Sequence, residues 1–260
     1  MIRAMWSAAS GMNAQQMLID VMANNLANVN STGFKKSRTE FEDLFYQIYK
    51  ETGAPTSAGS TSPVGIEVGM GTRPVAVQKI FTQGDIVQTN NDMDIAIEGD
   101  GFFQIMQENN EVYTRDGAFK IDADGYIVNA RGDRLQPDFA VPSTTTDVVI
   151  DKGGTITCLD SGGNTVASAE IPIYTFTNPA GLKSIGGNCY TPTPSSGDAL
   201  QGVPGIDNCG TLSQGYLEMS NVDAIEEMIN MIAGQRAYEI NSKTIRTADT
   251  MLQTASNIVR

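Results

Sequence analysis

The chain has 260 residues, 40% of them hydrophobic and only 18% charged, with 26 glycines and a formal net charge of −13. That length suits one large domain or two modest ones sharing a core, and the acidic balance argues against nucleic-acid binding and against docking on an anionic membrane surface. Histidine is absent, which removes Ser-His-Asp and Cys-His nucleophile pairs, HExxH zinc sites and imidazole acid–base chemistry. Carboxylate-pair chemistry survives this exclusion, but thirty Asp and Glu residues single out no pair.

The first segment, from Met1 to about Asn30, is predicted to be a helix. Met1, Met5, Ala8, Met12, Gln15, Ile19, Met22, Leu26 and Val29 follow one another in alternating steps of four and three, a heptad seam. Ser7, Ser10, Asn13, Gln15 and Gln16 interrupt any apolar run, so neither a cleaved signal peptide nor direct membrane insertion is expected. The helix should stop at Asn30-Ser31-Thr32-Gly33, with the glycine supplying a left-handed exit. Residues 34–61 are expected to be an extended connector between helix and body, low in complexity from Thr52 onward.

Residues 62–220 are predicted to form an all-β body. Phe119 and Ile121, a turn at Asp124-Gly125, then Tyr126 and Val128 predict a hairpin. Asp116-Gly117, Gly153-Gly154 and Gly162-Gly163 punctuate other strands. The Pro-, Gly- and Ser-rich stretch from Gly186 to Gly210 is expected to be a surface loop or edge excursion. None of the three cysteines sits in a CxxC pair. Cys189 and Cys209 could bridge a loop, leaving Cys158 free.

The chain should end in a second helix over 221–260. Asp223 and Glu226 have capping-box spacing. Val222, Glu226, Ile229, Ala233, Ala237, Ile240, Thr244, Ala248, Met251, Ala255 and Ile258 make a stripe of period 3.6. Glu239 and Lys243 make a favourable i,i+4 pair. The expected fold class is α+β, with the terminal helices (1–33 and 221–260) paired in a coiled-coil-like inner domain around which the β body is built. Both helices carry apolar residues outside one seam, so the pair leaves surface for further copies. Each narrow stripe is expected to order fully only when those partners arrive.

Several short motifs have plainer explanations than a site. Gly69-Met70-Gly71 and Gly99-Asp100-Gly101 do not complete a nucleotide fingerprint. Asp122-Ala123-Asp124-Gly125 lacks the remaining calcium ligands, Arg131-Gly132-Asp133 reads as a charged turn, and Met5, Met12 and Met22 suit a helix interface better than a metal. No catalytic, metal or cofactor site is expected.

Two distant stretches carry a family resemblance. Ala23-Asn24-Asn25-Leu26-Ala27-Asn28-Val29-Asn30-Ser31-Thr32-Gly33-Phe34-Lys35 resembles the N-terminal signature of bacterial flagellar axial proteins of the rod and hook class. Glu227-Met228-Ile229, then Gln235-Arg236-Ala237-Tyr238-Glu239 and Asn241-Ser242-Lys243, resembles the C-terminal one. Phe41-Glu42-Asp43-Leu44, Gly71-Thr72-Arg73-Pro74-Val75-Ala76, Gly101-Phe102-Phe103-Gln104 and Tyr113-Thr114-Arg115-Asp116-Gly117 are most similar to the distal rod branch of that class.

The resemblance implies a non-enzymatic subunit exported through the flagellar type III apparatus and polymerised helically into a hollow rod. Such a rod spans the periplasm to the outer membrane and transmits torque to the hook. The implied partners are further copies of the chain, proximal rod subunits, hook protein and the periplasmic and outer-membrane ring proteins. Ala8, Met12, Ile19, Met22 and Leu26, with Ile229, Ala233, Ile240 and Met251, would then hold the inner tube. A proximal rod or hook subunit, a carbohydrate-acting β protein and an Arg131-Gly132-Asp133 adhesin are the alternatives.

Overall fold

The computed structural model describes residues 2–52, 64–108, 110–206 and 209–258. The chain forms two compact units. The first comprises Met1–Leu26, Ser37–Gln78 and Ala224–Arg260, and the second Ala27–Lys36 with Lys79–Asp223.

The first unit holds both long helices, α1 (Ile2–Ala27) and α2 (Ala224–Ile258). Where an extended connector is expected, its described residues are strands. β1 (Ser37–Asp43) and β2 (Tyr46–Lys50) run out, and β3 (Ile66–Gly69) and β4 (Thr72–Lys79) return. β1 pairs with β4, and β2 pairs antiparallel with β3 from Tyr46↔Gly69 to Lys50↔Ile66. The amide of Leu44 donates to Gly71 O at 2.9 Å, carrying the ladder from one pair to the other. Ile48, Tyr49, Ile66, Val68, Val75 and Val77 remain exposed. The tip of this arm, including most of the low-complexity stretch, lies outside the described residues.

The second unit is the β body. Its largest sheet has seven antiparallel strands, in the spatial order 183–186, 189–191, 110–114, 103–107, 134–135, 127–128 and 120–121. A three-stranded meander over 147–170 packs beside it, its turns at the expected Gly153-Gly154 and Gly162-Gly163 pairs. One core joins both sheets through Ile95, Ile97, Phe103, Ile105, Phe119 and Ile156. A second cluster gathers the rings of Phe102, Tyr113, Phe176 and Tyr190. The expected hairpin forms, with Ile127 opposite Ile121. Gly125, at φ +85°, takes a left-handed turn position that a side chain would strain.

Three local readings are corrected. The stretch 186–210 is not one loop: Cys189–Thr191 enters the large sheet against Thr114 and Tyr113, and Leu200–Gly202 pairs with Ile173–Thr175. Pro192 and Pro194 fall just past the strand end, where they terminate it without costing a ladder bond. No Cys189–Cys209 bridge forms, and none of the three cysteines is in a disulfide. Cys189 Sγ is held 3.1 Å from the Arg131 guanidinium, whereas Cys209 lies beside Gly202 of another sheet. Finally, α2 starts three residues later than predicted because the Asn221 side chain is engaged elsewhere: it accepts from Lys36 N and donates to Ile80 O.

Phe103 is fully buried and meets Phe119 edge-on at 5.3 Å between ring centroids. Phe103→Ala should cost roughly 3–5 kcal/mol of stability. Urea unfolding should therefore show a lower midpoint with an unchanged slope.

Candidate assembly site

The two helices of the first unit touch along antiparallel lines. A Cβ on Gly11 would lie 2.9 Å from the Asn241 side chain, and one on Gly234 would lie 3.3 Å from Ile19. Asn25 Nδ2 reaches Glu227 Oε2 at 3.4 Å. The α1 seam lies on the covered side: Ala8 is buried, and Met12, Ile19, Met22 and Leu26 are half-buried. The covered seam of α2 shares only Ala248 with the predicted stripe. It runs through Glu227, Met231, Gly234, Asn241, Ile245, Ala248 and Leu252, all buried or half-buried. That seam has heptad spacing, but glycine, asparagine and glutamate disguise it as a polar face.

The four stripe residues expected to hold the inner tube, Ile229, Ala233, Ile240 and Met251, point away. Ile229 is 61% and Ile240 65% exposed, and Ala233 and Met251 are exposed too. At 100° per residue, these four with Ile225 and Ile232 fall in an arc of about 100°, roughly 150° from the covered seam. α2 is therefore two-faced, with small and polar residues towards α1 and a row of isoleucines left open. Contiguous exposed apolar surface of this kind marks an interaction site. Of the other signature residues on α2, Ala237 is half-buried. Arg236 pairs with Glu239 at 3.3 Å in the solvent, while Tyr238 is partly exposed.

The N-terminal signature is a set of clamps. Asn25 is buried, and its amide closes a two-bond bracket on Ser37. Nδ2 donates to Ser37 O and Oδ1 accepts from Ser37 N, both at 2.9 Å. A single side chain thus stands in for a strand neighbour at the start of β1 and also reaches α2. Asn24 and Asn28 flank it, and Asn28 Oδ1 accepts from Ser31 Oγ in the turn that ends α1. That turn begins earlier than predicted because α1 closes at Ala27.

In the second unit, Gly33 sits at φ +65°. A Cβ there would come within 2.6 Å of Asp116 N, so both conformation and space demand glycine. Phe34 is buried with Lys79 Nζ 4.6 Å from its ring centroid.

The next residue is the least expected. Lys35 is 0% exposed. Its Nζ donates to Glu218 Oε1 at 2.5 Å and to Thr82 O at 2.7 Å. Glu218 Oε2 accepts from Arg115 Nε at 2.9 Å, and Oε1 also takes the amide of Gly84. The two terminal nitrogens of Arg115 donate to Gly101 O and Gly99 O. Burial pulls the Lys35 ammonium below its usual pKa, and the Glu218 carboxylate opposes that pull. Each charged nitrogen of Lys35 and Arg115 and both carboxylate oxygens of Glu218 have at least one partner, as a buried charge network requires.

Glu218→Gln would leave two buried cations without their counter-charge. It should destabilise the β unit by roughly 3–5 kcal/mol, measurable as loss of cooperative unfolding at a lower denaturant concentration. Asp116 provides a pH test. Burial raises its pKa above the ordinary carboxylate range, against bonds from Ala118 N and Thr32 Oγ1 that favour the charged form. The folded state therefore binds the proton more tightly than the unfolded one. The stability this contributes is complete below the unfolded pKa and is lost as pH rises through the folded pKa. Asp116→Asn, whose Oδ1 still accepts both bonds, should flatten stability against pH on the acid side and be no less stable at neutral pH.

Charge divides between the units. The first has eight Lys and Arg against ten Asp and Glu, net −2, and the second has nine against twenty, net −11. The unit with the exposed apolar residues is nearly neutral, and the unit with the closed core carries the acid.

Comparisons with known proteins give the family. Residues 5–35 match the model of the flagella basal body rod protein family, 96–158 that of the flagellar hook protein FlgE/F/G D1 domain, and 213–258 that of the flagellar basal body rod FlgEFG protein C-terminal region. The flagellar basal-body rod protein FlgG of Borreliella burgdorferi is 47% identical over the full length of both chains. That of Buchnera aphidicola subsp. Acyrthosiphon pisum is 43% identical over 99% of this chain and 100% of its own. The solved Helicobacter pylori flagellar hook protein FlgE2 aligns at 16% identity with a TM-score of 0.25, over 71% of this chain and 43% of that one. Two signature clamps, two terminal helices and 43–47% identity over the full length lead to one assignment: this chain belongs to the flagellar basal-body rod protein family of structural rod subunits.

Proposed function

We propose that this chain polymerises helically into the hollow distal rod, a shaft that carries torque from the flagellar motor to the hook. The observation that carries this reading is the open isoleucine stripe of α2. A helix already packed against α1 through one face has a second apolar face that another copy would bury. In the polymer the two helices order as a coiled-coil-like pair lining the tube. Ala8, Met12, Ile19, Met22 and Leu26 close the pair, and Ile229, Ala233, Ile240 and Met251 join it to neighbouring copies. The arm of β1 to β4 makes lateral contacts, and the acidic β unit is carried on the outside. Export through the flagellar type III apparatus delivers subunits to a rod that runs from periplasm to outer membrane. There it meets proximal rod subunits, hook protein and the ring proteins.

The test is a double variant, Ile229→Asp with Ile240→Asp. It should leave far-UV circular dichroism and the unfolding midpoint of the β unit unchanged, while sedimentable polymer disappears. Two buried isoleucines per contact are worth about 3–6 kcal/mol, enough to shift the critical concentration beyond reach. Polymer forming at the ordinary concentration would show that the stripe is not the assembly face.

A further inference from the structure

A groove of about 340 Å³ opens in the first unit between the start of α1 and the β2–β3 ladder, walled by Trp6, Leu44, Val68 and Met70 with Arg3 at its rim. Trp6 is 71% exposed, although it is the single tryptophan of the chain. Nothing in the same copy can fill this groove with the α2 stripe. The antiparallel contacts Gly11–Asn241, Ile19–Gly234 and Asn25–Glu227 put Trp6 level with the far end of α2. The richest part of the stripe, Ile225, Ile229 and Ile232, then lies some 17 residues away, about 25 Å along the axis.

Resting on the polymer reading above, we infer that the groove at Trp6 receives the Ile225–Ile232 turns of α2 from a second copy of this chain. Groove and stripe are complementary in character: both are mainly apolar, the groove lining includes the cation Arg3, whose guanidinium lies 5.1 Å from the Tyr49 ring centroid, and Glu226 lies beside the stripe. The unit that carries them is nearly uncharged (net −2), so copies approach without strong repulsion. Because the two surfaces differ and sit at opposite ends of the helix pair, the contact is heterologous. Each copy offers one groove and one stripe, and the contact repeats without closing on itself. That gives the assembly a direction along the helices, with a groove left open at one end of a growing row and a stripe at the other.

Complementation tests this. Trp6→Asp copies keep the stripe and lose the groove, while Ile229→Asp copies keep the groove and lose the stripe. Each alone should stay monomeric by analytical ultracentrifugation, and an equal mixture should form dimers but no longer species. As a check that does not depend on either charged variant folding, Trp6→Cys and Ile229→Cys copies, both with Cys209→Ser, are mixed under polymerising conditions and treated with a short bis-maleimide. The mixed Trp6–Ile229 cross-link should be the dominant product. A mixture that stays monomeric, or cross-links that are mainly homotypic, while unmodified chain polymerises, would overturn the contact and leave the rod reading standing. Failure of the unmodified chain to polymerise at all would overturn both.

Discussion

The carboxylate of Glu218 is the interaction on which the β unit turns. It neutralises two buried cations and takes a backbone amide besides, so it gathers the 33–36 segment, the 82–84 turn, the 99–101 loop and Arg115 around one point. Charges at this depth are tolerated only when fully paired and hydrogen-bonded. Such a network therefore admits one arrangement of those segments and penalises the rest. The amide of Gly33 also donates to Glu218 O. The exit from the first helix is thereby held by backbone and side chain of the same residue.

With that point fixed, the two units divide the work. The β unit closes a core of aliphatic and aromatic side chains and carries nearly all the net charge, so folding alone satisfies it. The helical unit does the opposite. Its helix pair meets through alanine, glycine and an amide, and its strands expose hydrophobic side chains on both sides of a narrow ladder. Burial within one copy leaves much of its apolar surface in water, and association is the step that removes it.

Legibility in the sequence followed from how local the determinants were. Both helices could be read because periodicity is local, and the 119–128 hairpin because its turn chemistry is local. The covered seam of α2 was missed: Glu227, Gly234 and Asn241 do not look like packing residues, and a stripe of isoleucines does. The strand at Cys189–Thr191 was hidden by prolines that prove to sit at its end. Lys35 showed only as part of a family signature. Its partner lies 183 residues further on, and no spacing rule connects them. The clamp at Asn25 was likewise visible as a motif but not as a mechanism, because its partners Ser37 and Glu227 come together only in the fold.

The uneven division of charge has a further effect on crowding. At physiological ionic strength a surface charge is felt over only about 8 Å, so the eleven excess negative charges of each β unit do nothing to keep copies from meeting. They act only when two β units come nearly into touch. The outer edge of the meander, Thr165–Glu170, is a six-residue strand with one ladder partner, no lysine and no proline. A bare edge like this invites sheet-to-sheet addition. A second β unit reaching that edge brings its own net charge of −11 within this short range. Charge is thus concentrated on the unit whose edge strand is open and withheld from the unit whose helix carries the exposed isoleucines.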